Sequence, residues 1–121
     1  MAKDTCGLSR KFPECEIINL DELNLKGRHA DLLLNCGSTV IVIEETSVAK
    51  TSDIDQVLET LNDVKSNGAK YGMSSDPSRL VGIIHFTRQN SAQVVKIVLS
   101  RSRRNSPLFY ANCCSDLMRK V

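Results

Sequence analysis

The clearest pattern in the chain is the β-branched run Val40, Ile41, Val42 and Ile43, which stops abruptly at Glu44 and Glu45. Such a run has neither helical nor alternating period and suits a strand buried on both faces. Ahead of it, Asp31 leads into Leu32, Leu33 and Leu34, and an Asn-Cys-Gly-Ser turn at residues 35–38 joins the two segments. An antiparallel hairpin with strands near 30–35 and 39–45 is the economical reading. It places Asp31 and Glu44 at the same end of neighbouring strands. Two carboxylates brought together there are either a divalent-metal site or an electrostatic cost that needs explaining.

The remaining pattern supplies the other elements. Residues 1–13 read as a loosely held lead-in with at most a helical turn, and residues 14–20 as a first strand. Asp21 to Lys26 is a turn or short helix. Ser52 is expected to cap a helix, with Asp53 and Asp55 in its first turn and a stripe of Ile54, Val57, Leu58, Leu61 and Val64. Asn67-Gly68 closes that helix, and residues 66–79 form a Gly- and Ser-rich loop. Leu80 to Phe86 is another buried strand. Residues 90–104 suit either a helix or a strand; their length without Gly or Pro favours a helix. A short strand at 108–111 and a helix at 113–120 complete the chain. The predicted fold is α/β, a mixed central sheet with an N-terminal hairpin flanked by helices.

Size and composition narrow the picture. The length of 121 residues suits one domain, residues 1–121, with a single core. No run approaches the roughly 18 apolar residues of a membrane span, and no signal sequence opens the chain, so a cytoplasmic protein without membrane contact is expected. Cys6, Cys15, Cys36, Cys113 and Cys114 are odd in number and include no C-x-x-C pair, which argues against a zinc ribbon and a full disulfide framework. Reduced, buried thiols are the expectation, with disulfides an alternative for a hyperthermophile source.

Charge is distributed unevenly. Residues 1–77 carry eight Lys or Arg against thirteen Asp or Glu, whereas residues 78–121 carry eight basic residues against Asp116 alone. An acidic half can supply metal ligands and a basic half a phosphate footprint; equally, the two can neutralise each other across the fold. Arg88, Arg101, Arg103 and Arg104 are the candidate phosphate contacts. Aromatic content of 4% gives little support to a base-stacking platform. His29 reads as a surface or turn residue, and His85, inside an apolar strand, as a hydrogen-bonded core residue.

The segment from Gly27 to Leu61 resembles the core of the PD-(D/E)xK nucleases, in particular the RecB-like branch. In that superfamily an Asp begins one strand, an acid-x-Lys pair ends the next, and a helix follows. Asp31 matches the first acid, Glu44 the second, and Gln56 the helical Gln of the RecB-like branch. The motif lysine falls on Thr46, which carries no charge. The resemblance covers roughly residues 16–86 and implies a restriction-endonuclease-like core binding Mg²⁺ or Mn²⁺ through Asp31, Glu44 and the backbone carbonyl of Glu45.

Three functions are then open. The loss of the lysine favours a catalytically degenerate nuclease fold that binds DNA or RNA through its backbone, as a homodimer or a subunit of a larger complex. The alternative is an active metal-dependent nuclease in which Lys50 has taken over from the missing lysine, with Asp31, Glu44 and Gln56 as its partners. The third is a protein-interaction module without nucleic acid. Each site residue also has a plain structural role: Asp31 and the Glu44-Glu45 pair at solvated strand ends, Gln56 on an exposed helix face.

Overall fold

In a computed structural model of the chain, the described residues are 5–23, 29–73, 77–86, 92–102, 106–112 and 114–121. The β-branched run forms the middle of strand β3 (Thr39–Thr46), where Val40 to Glu44 are all buried. β3 is the central strand of a five-stranded sheet in the order β1 (Glu16–Asn19), β2 (Leu32–Asn35), β3, β4 (Arg79–Phe86), β5 (Leu108–Ala111). β1, β2 and β3 form an antiparallel meander, and β4 and β5 add in parallel. The β2–β3 turn closes through the Cys36 N–H donating to the Thr39 carbonyl at 2.9 Å. Gly37 takes the left-handed φ of +88° that this two-residue turn requires.

Parallel neighbours need crossovers, and helices provide them. Helix α2 (Thr51–Ser66) links β3 to β4, and α3 (Ala92–Arg101) links β4 to β5. The order three strands, helix, strand, helix, strand, helix is therefore as expected. The 90–104 segment resolves in favour of the helix. A short helix α1 (Leu8–Lys11) precedes the sheet and α4 (Cys114–Lys120) follows it.

Alternation along the strands divides the core in two. One layer gathers Leu33, Val40, Val42, Leu80 and Ile84 against Ile54, Val57, Leu61 and Val64 of α2 and Val98 of α3. The other gathers Leu32, Leu34, Ile41, Ile43, Val81 and Ile83 against Leu8 of α1 and Leu117 of α4. The lead-in is thus held more firmly than its composition implies, because Leu8 is fully buried. The four α2 side chains contribute at most about 6–12 kcal/mol by area removed from water.

Sheet and helix come closest at Gly82. A Cβ there would lie 2.6 Å from both Val57 Cγ1 and Leu108 Cδ2. Because both neighbours are buried, Gly82→Ala should cost about 1–3 kcal/mol, read as a lower urea midpoint with an unchanged slope.

Two expectations are corrected. The first concerns the cysteines: Cys6 is bonded to Cys114 and Cys15 to Cys36, so four of the five are oxidised rather than reduced. The partners are far apart in sequence, so spacing alone does not reveal them; the meander brings Cys15 beside the β2–β3 turn. The second concerns α2, which begins at Thr51 with Lys50 as its N-cap, not Ser52. The Asp53 carboxylate accepts the Lys50 N–H at 2.8 Å, and this bond moves the start of the helix.

The 66–79 loop also carries structure, a 3₁₀ turn at Gly68–Tyr71 with Tyr71 and Met73 in the core. Asp63 fastens it to α2. It accepts from Lys70 Nζ at 2.8 Å, from Asn67 Nδ2 at 2.7 Å and from the Tyr71 hydroxyl. Lys70, then Tyr71, hold the Asp63 carboxyl at about 2, so this bracing is present above pH 3.8 and fades as pH falls towards 2. Among the described residues no helix is long and apolar enough to cross a membrane.

Candidate functional site

Asp31 sits one step beyond the Leu32–Ile43 pair, opposite Glu44 on the next strand. Alternation places both side chains on the sheet face covered by α2, since Leu33 and Val42 belong to that layer. The hairpin therefore brings the two acids together as the pattern predicts.

The main chain around Asp31 is held at several points. The Leu20 N–H donates to the Asp31 carbonyl at 2.9 Å, and the Asp31 N–H to the Ile43 carbonyl at 3.2 Å. The preceding Ala30 N–H donates to Thr60 Oγ1 at 2.8 Å, while the Thr60 hydroxyl donates to the Gln56 carbonyl at 2.8 Å. Helix α2 thereby fixes the start of β2. The Asp31 side chain is aimed by the Glu45 N–H, which donates to Oδ2 at 2.7 Å.

Glu44 is buried, at 5% exposure. It lies within hydrogen-bonding reach of Asp31 and also of Asp53 on α2. Burial, then the Asp31 and Asp53 carboxylates, push its carboxyl up to about 9, and among the described residues no cationic side chain opposes them. At neutral pH Glu44 holds a proton that it can donate to a neighbouring carboxylate. Glu44 is thus linked through this proton to one neighbouring carboxylate at a time, Asp31 or Asp53. Among the described residues no three His, Cys, Asp or Glu side chains form a ready metal cage.

Asp53 is a further member of this centre, beyond the helix-dipole role that its place in the first turn predicts. The signal is in the sequence: Asp53 lies four residues before Val57, on the buried stripe of α2.

Glu45 behaves differently from Glu44. Its side chain projects to the opposite face, where Oε2 of the half-buried Glu45 lies 2.7 Å from Nδ1 of the buried His85. Only its main chain belongs with Asp31 and Glu44. His85 is thus a hydrogen-bonded core residue, as its surroundings predict. His29 is half-buried, with Nδ1 2.8 Å from the Ala30 carbonyl.

The remaining candidates are scattered. Lys50 is exposed at the start of α2, with its N–H on Asp53. Gln56 is half-buried six residues further along, and Thr46 ends β3 with its hydroxyl donating to the Val48 carbonyl at 3.2 Å. Arg101 is exposed in the last turn of α3. Arg88, Arg103 and Arg104 lie outside the described residues.

Fold and site together define a mixed α/β protein with a carboxylate centre between a hairpin and the helix that follows it. No known family, curated protein or solved structure matches the chain.

Proposed function

We propose that this chain is a nucleic-acid-binding protein built on the PD-(D/E)xK nuclease plan, catalytically degenerate because the motif lysine is absent. It would act as a homodimer or as a subunit of a larger complex. The observation that carries the reading is the placement of Asp31 and Glu44. They face each other on adjacent strands at the mouth of a strand–helix–strand unit, Glu44 buried and Asp31 half-buried, and among the described residues no cationic side chain acts on Glu44.

The donor set fits Mg²⁺ or Mn²⁺. Both ions prefer carboxylate and carbonyl oxygen, and Mg²⁺ is commonly held by one or two carboxylates with the rest of its shell from water and phosphate. Asp31, Glu44 and the Glu45 carbonyl would hold it. Bound there, such an ion polarises a phosphate oxygen and neutralises its charge. Asp31 is already oriented by the Glu45 N–H, and Glu44 must first release its proton. Thr46 can donate a hydrogen bond but supplies no ammonium, so the electrostatic stabilisation that hydrolysis needs is missing at that position.

A second reading is favoured by one contact. The Lys50 N–H is bonded to Asp53, whose carboxylate meets Glu44, so the Lys50 backbone is anchored beside the acids. From there its side chain would replace the missing lysine, and the protein would be an active nuclease.

Labelled single-stranded, duplex and branched DNA and RNA, incubated with Mg²⁺ or Mn²⁺, separate the two. The degenerate reading expects a gel shift that weakens steeply with salt and no cleavage. Cleavage abolished by both Glu44→Gln and Lys50→Ala would overturn it in favour of the active enzyme. Absence of both binding and cleavage would overturn both and leave a protein-interaction module.

A further inference from the structure

We infer that the cleft between the C-terminal half of α2 and the end of α3 is a subsite for a backbone phosphate of the bound nucleic acid. The cleft has a volume of about 150 Å³, and Leu61, Leu80, Asn62, Lys65, Arg101 and Ser106 line it. Leu61 and Leu80 are buried and form an apolar floor, while Asn62, Lys65 and Arg101 are exposed at the rim and Ser106 is half-buried. The space is several times the ~30 Å³ share of one water, enough for a phosphate group.

The rim chemistry selects an anion. Lys65 and Arg101 come from different helices and converge on one opening. Among the described residues neither has a carboxylate partner. The nearby Asp63 is already committed to Lys70, Asn67 and Tyr71. Two uncompensated cations facing one cleft repel each other until an anion lies between them. A guanidinium, an ammonium, an amide and a hydroxyl together match the several acceptor oxygens of a phosphodiester.

Position selects the nucleic-acid backbone over a free phosphate. Leu80 lies four residues before Ile84, which is the register partner of Glu44. At about 3.3 Å per residue the cleft is offset by ~13 Å along the strand direction from the carboxylate centre, on the same α2-covered side of the sheet. Duplex rise along one strand is ~3.4 Å per nucleotide, so a strand lying along α2 would present phosphates to both ends about four nucleotides apart. The inference rests on the nucleic-acid reading of the chain but requires neither cleavage nor a metal ion.

The test compares the wild type with Lys65→Gln/Arg101→Gln, using Lys96→Gln, a change at an exposed α3 lysine, as control. A labelled duplex is titrated at several salt concentrations, and inorganic phosphate is titrated into ¹⁵N-labelled protein. The expected result is about tenfold weaker duplex binding by the double variant and a salt slope smaller by about 2, with the control unchanged. Phosphate and duplex should both shift the Leu61 and Ser106 amides in the wild type, and neither should do so in the double variant. Wild-type affinity and slope in the double variant would overturn the subsite alone. Amide shifts with phosphate but not with duplex would reassign the cleft to a small phosphorylated ligand and likewise overturn it. A wild type that binds no duplex would overturn the subsite, and one that binds no single-stranded, duplex or branched DNA or RNA would overturn the nucleic-acid reading with it.

Discussion

Reduction of the two disulfides is expected to remove most of the stability of this protein. The Cys15–Cys36 bond spans 21 residues and the Cys6–Cys114 bond spans 108. In the chain-entropy description, loops of these sizes correspond to about 3 and about 5 kcal/mol. Domains of this size are stable by only about 5–15 kcal/mol, so losing both bonds leaves little margin. Urea unfolding with and without a phosphine reductant should show a large fall in midpoint. Paired serine variants should divide it, with Cys6→Ser/Cys114→Ser costing more than Cys15→Ser/Cys36→Ser. An unchanged midpoint after complete reduction would mean that packing of Leu8 and Leu117 already holds α1 and α4 to the sheet.

Glu44→Gln is expected to stabilise the protein at neutral pH and to abolish any binding of divalent metal at the proposed Asp31–Glu44 site. The ordinary carboxyl value is 4.5 and the folded value is about 9. Below pH 4.5 the group is neutral in both states and its burial costs least. As pH rises towards 9, the unfolded chain releases the proton and the folded protein keeps it, so stability falls across that window. At pH 7 the penalty amounts to about 3 kcal/mol. Glutamine keeps the neutral shape without the titration, so the variant should gain about that much at pH 7 and little at pH 4. Mn²⁺ should raise the melting temperature of the wild type and not of the variant, with a larger effect at pH 8 than at pH 6, because binding must expel the proton. Identical pH profiles for the two proteins would sink the assignment of Glu44 as the buried, proton-holding acid.

Much of this architecture was legible from pattern alone, for particular reasons. Val40 to Ile43 has no stable place outside a two-sided sheet, and the α2 stripe leaves one face to bury. The hairpin then aligns Asp31 with Glu44, because antiparallel pairing has a two-residue period and the short turn at Gly37 fixes the register. What escaped the reading depends on contacts between distant segments. The Cys6–Cys114 bond joins a lead-in to a terminal helix, and neither segment announces the other. Asp53 could be read as a dipole-complementing acid because that role is local; its second role, beside Glu44, appears only when α2 folds back over β3. The Lys50 cap depends on the same side chain, which displaced the expected start at Ser52. Lys65 and Arg101 are thirty-six positions apart and meet only because α2 and α3 cross the same face of the sheet.

The bond between Cys6 and Cys114 has a mechanical consequence. Tension applied to the chain outside these two residues passes through a covalent link and bypasses the hydrogen-bonded strands, all of which lie between them. The sheet is therefore unloaded under traction, and the distance between the two anchor points stays fixed while the bond is intact. Cutting that link transfers the load to β1–β5, so the oxidation state of one cysteine pair decides whether a pull on the protein reaches the carboxylate centre.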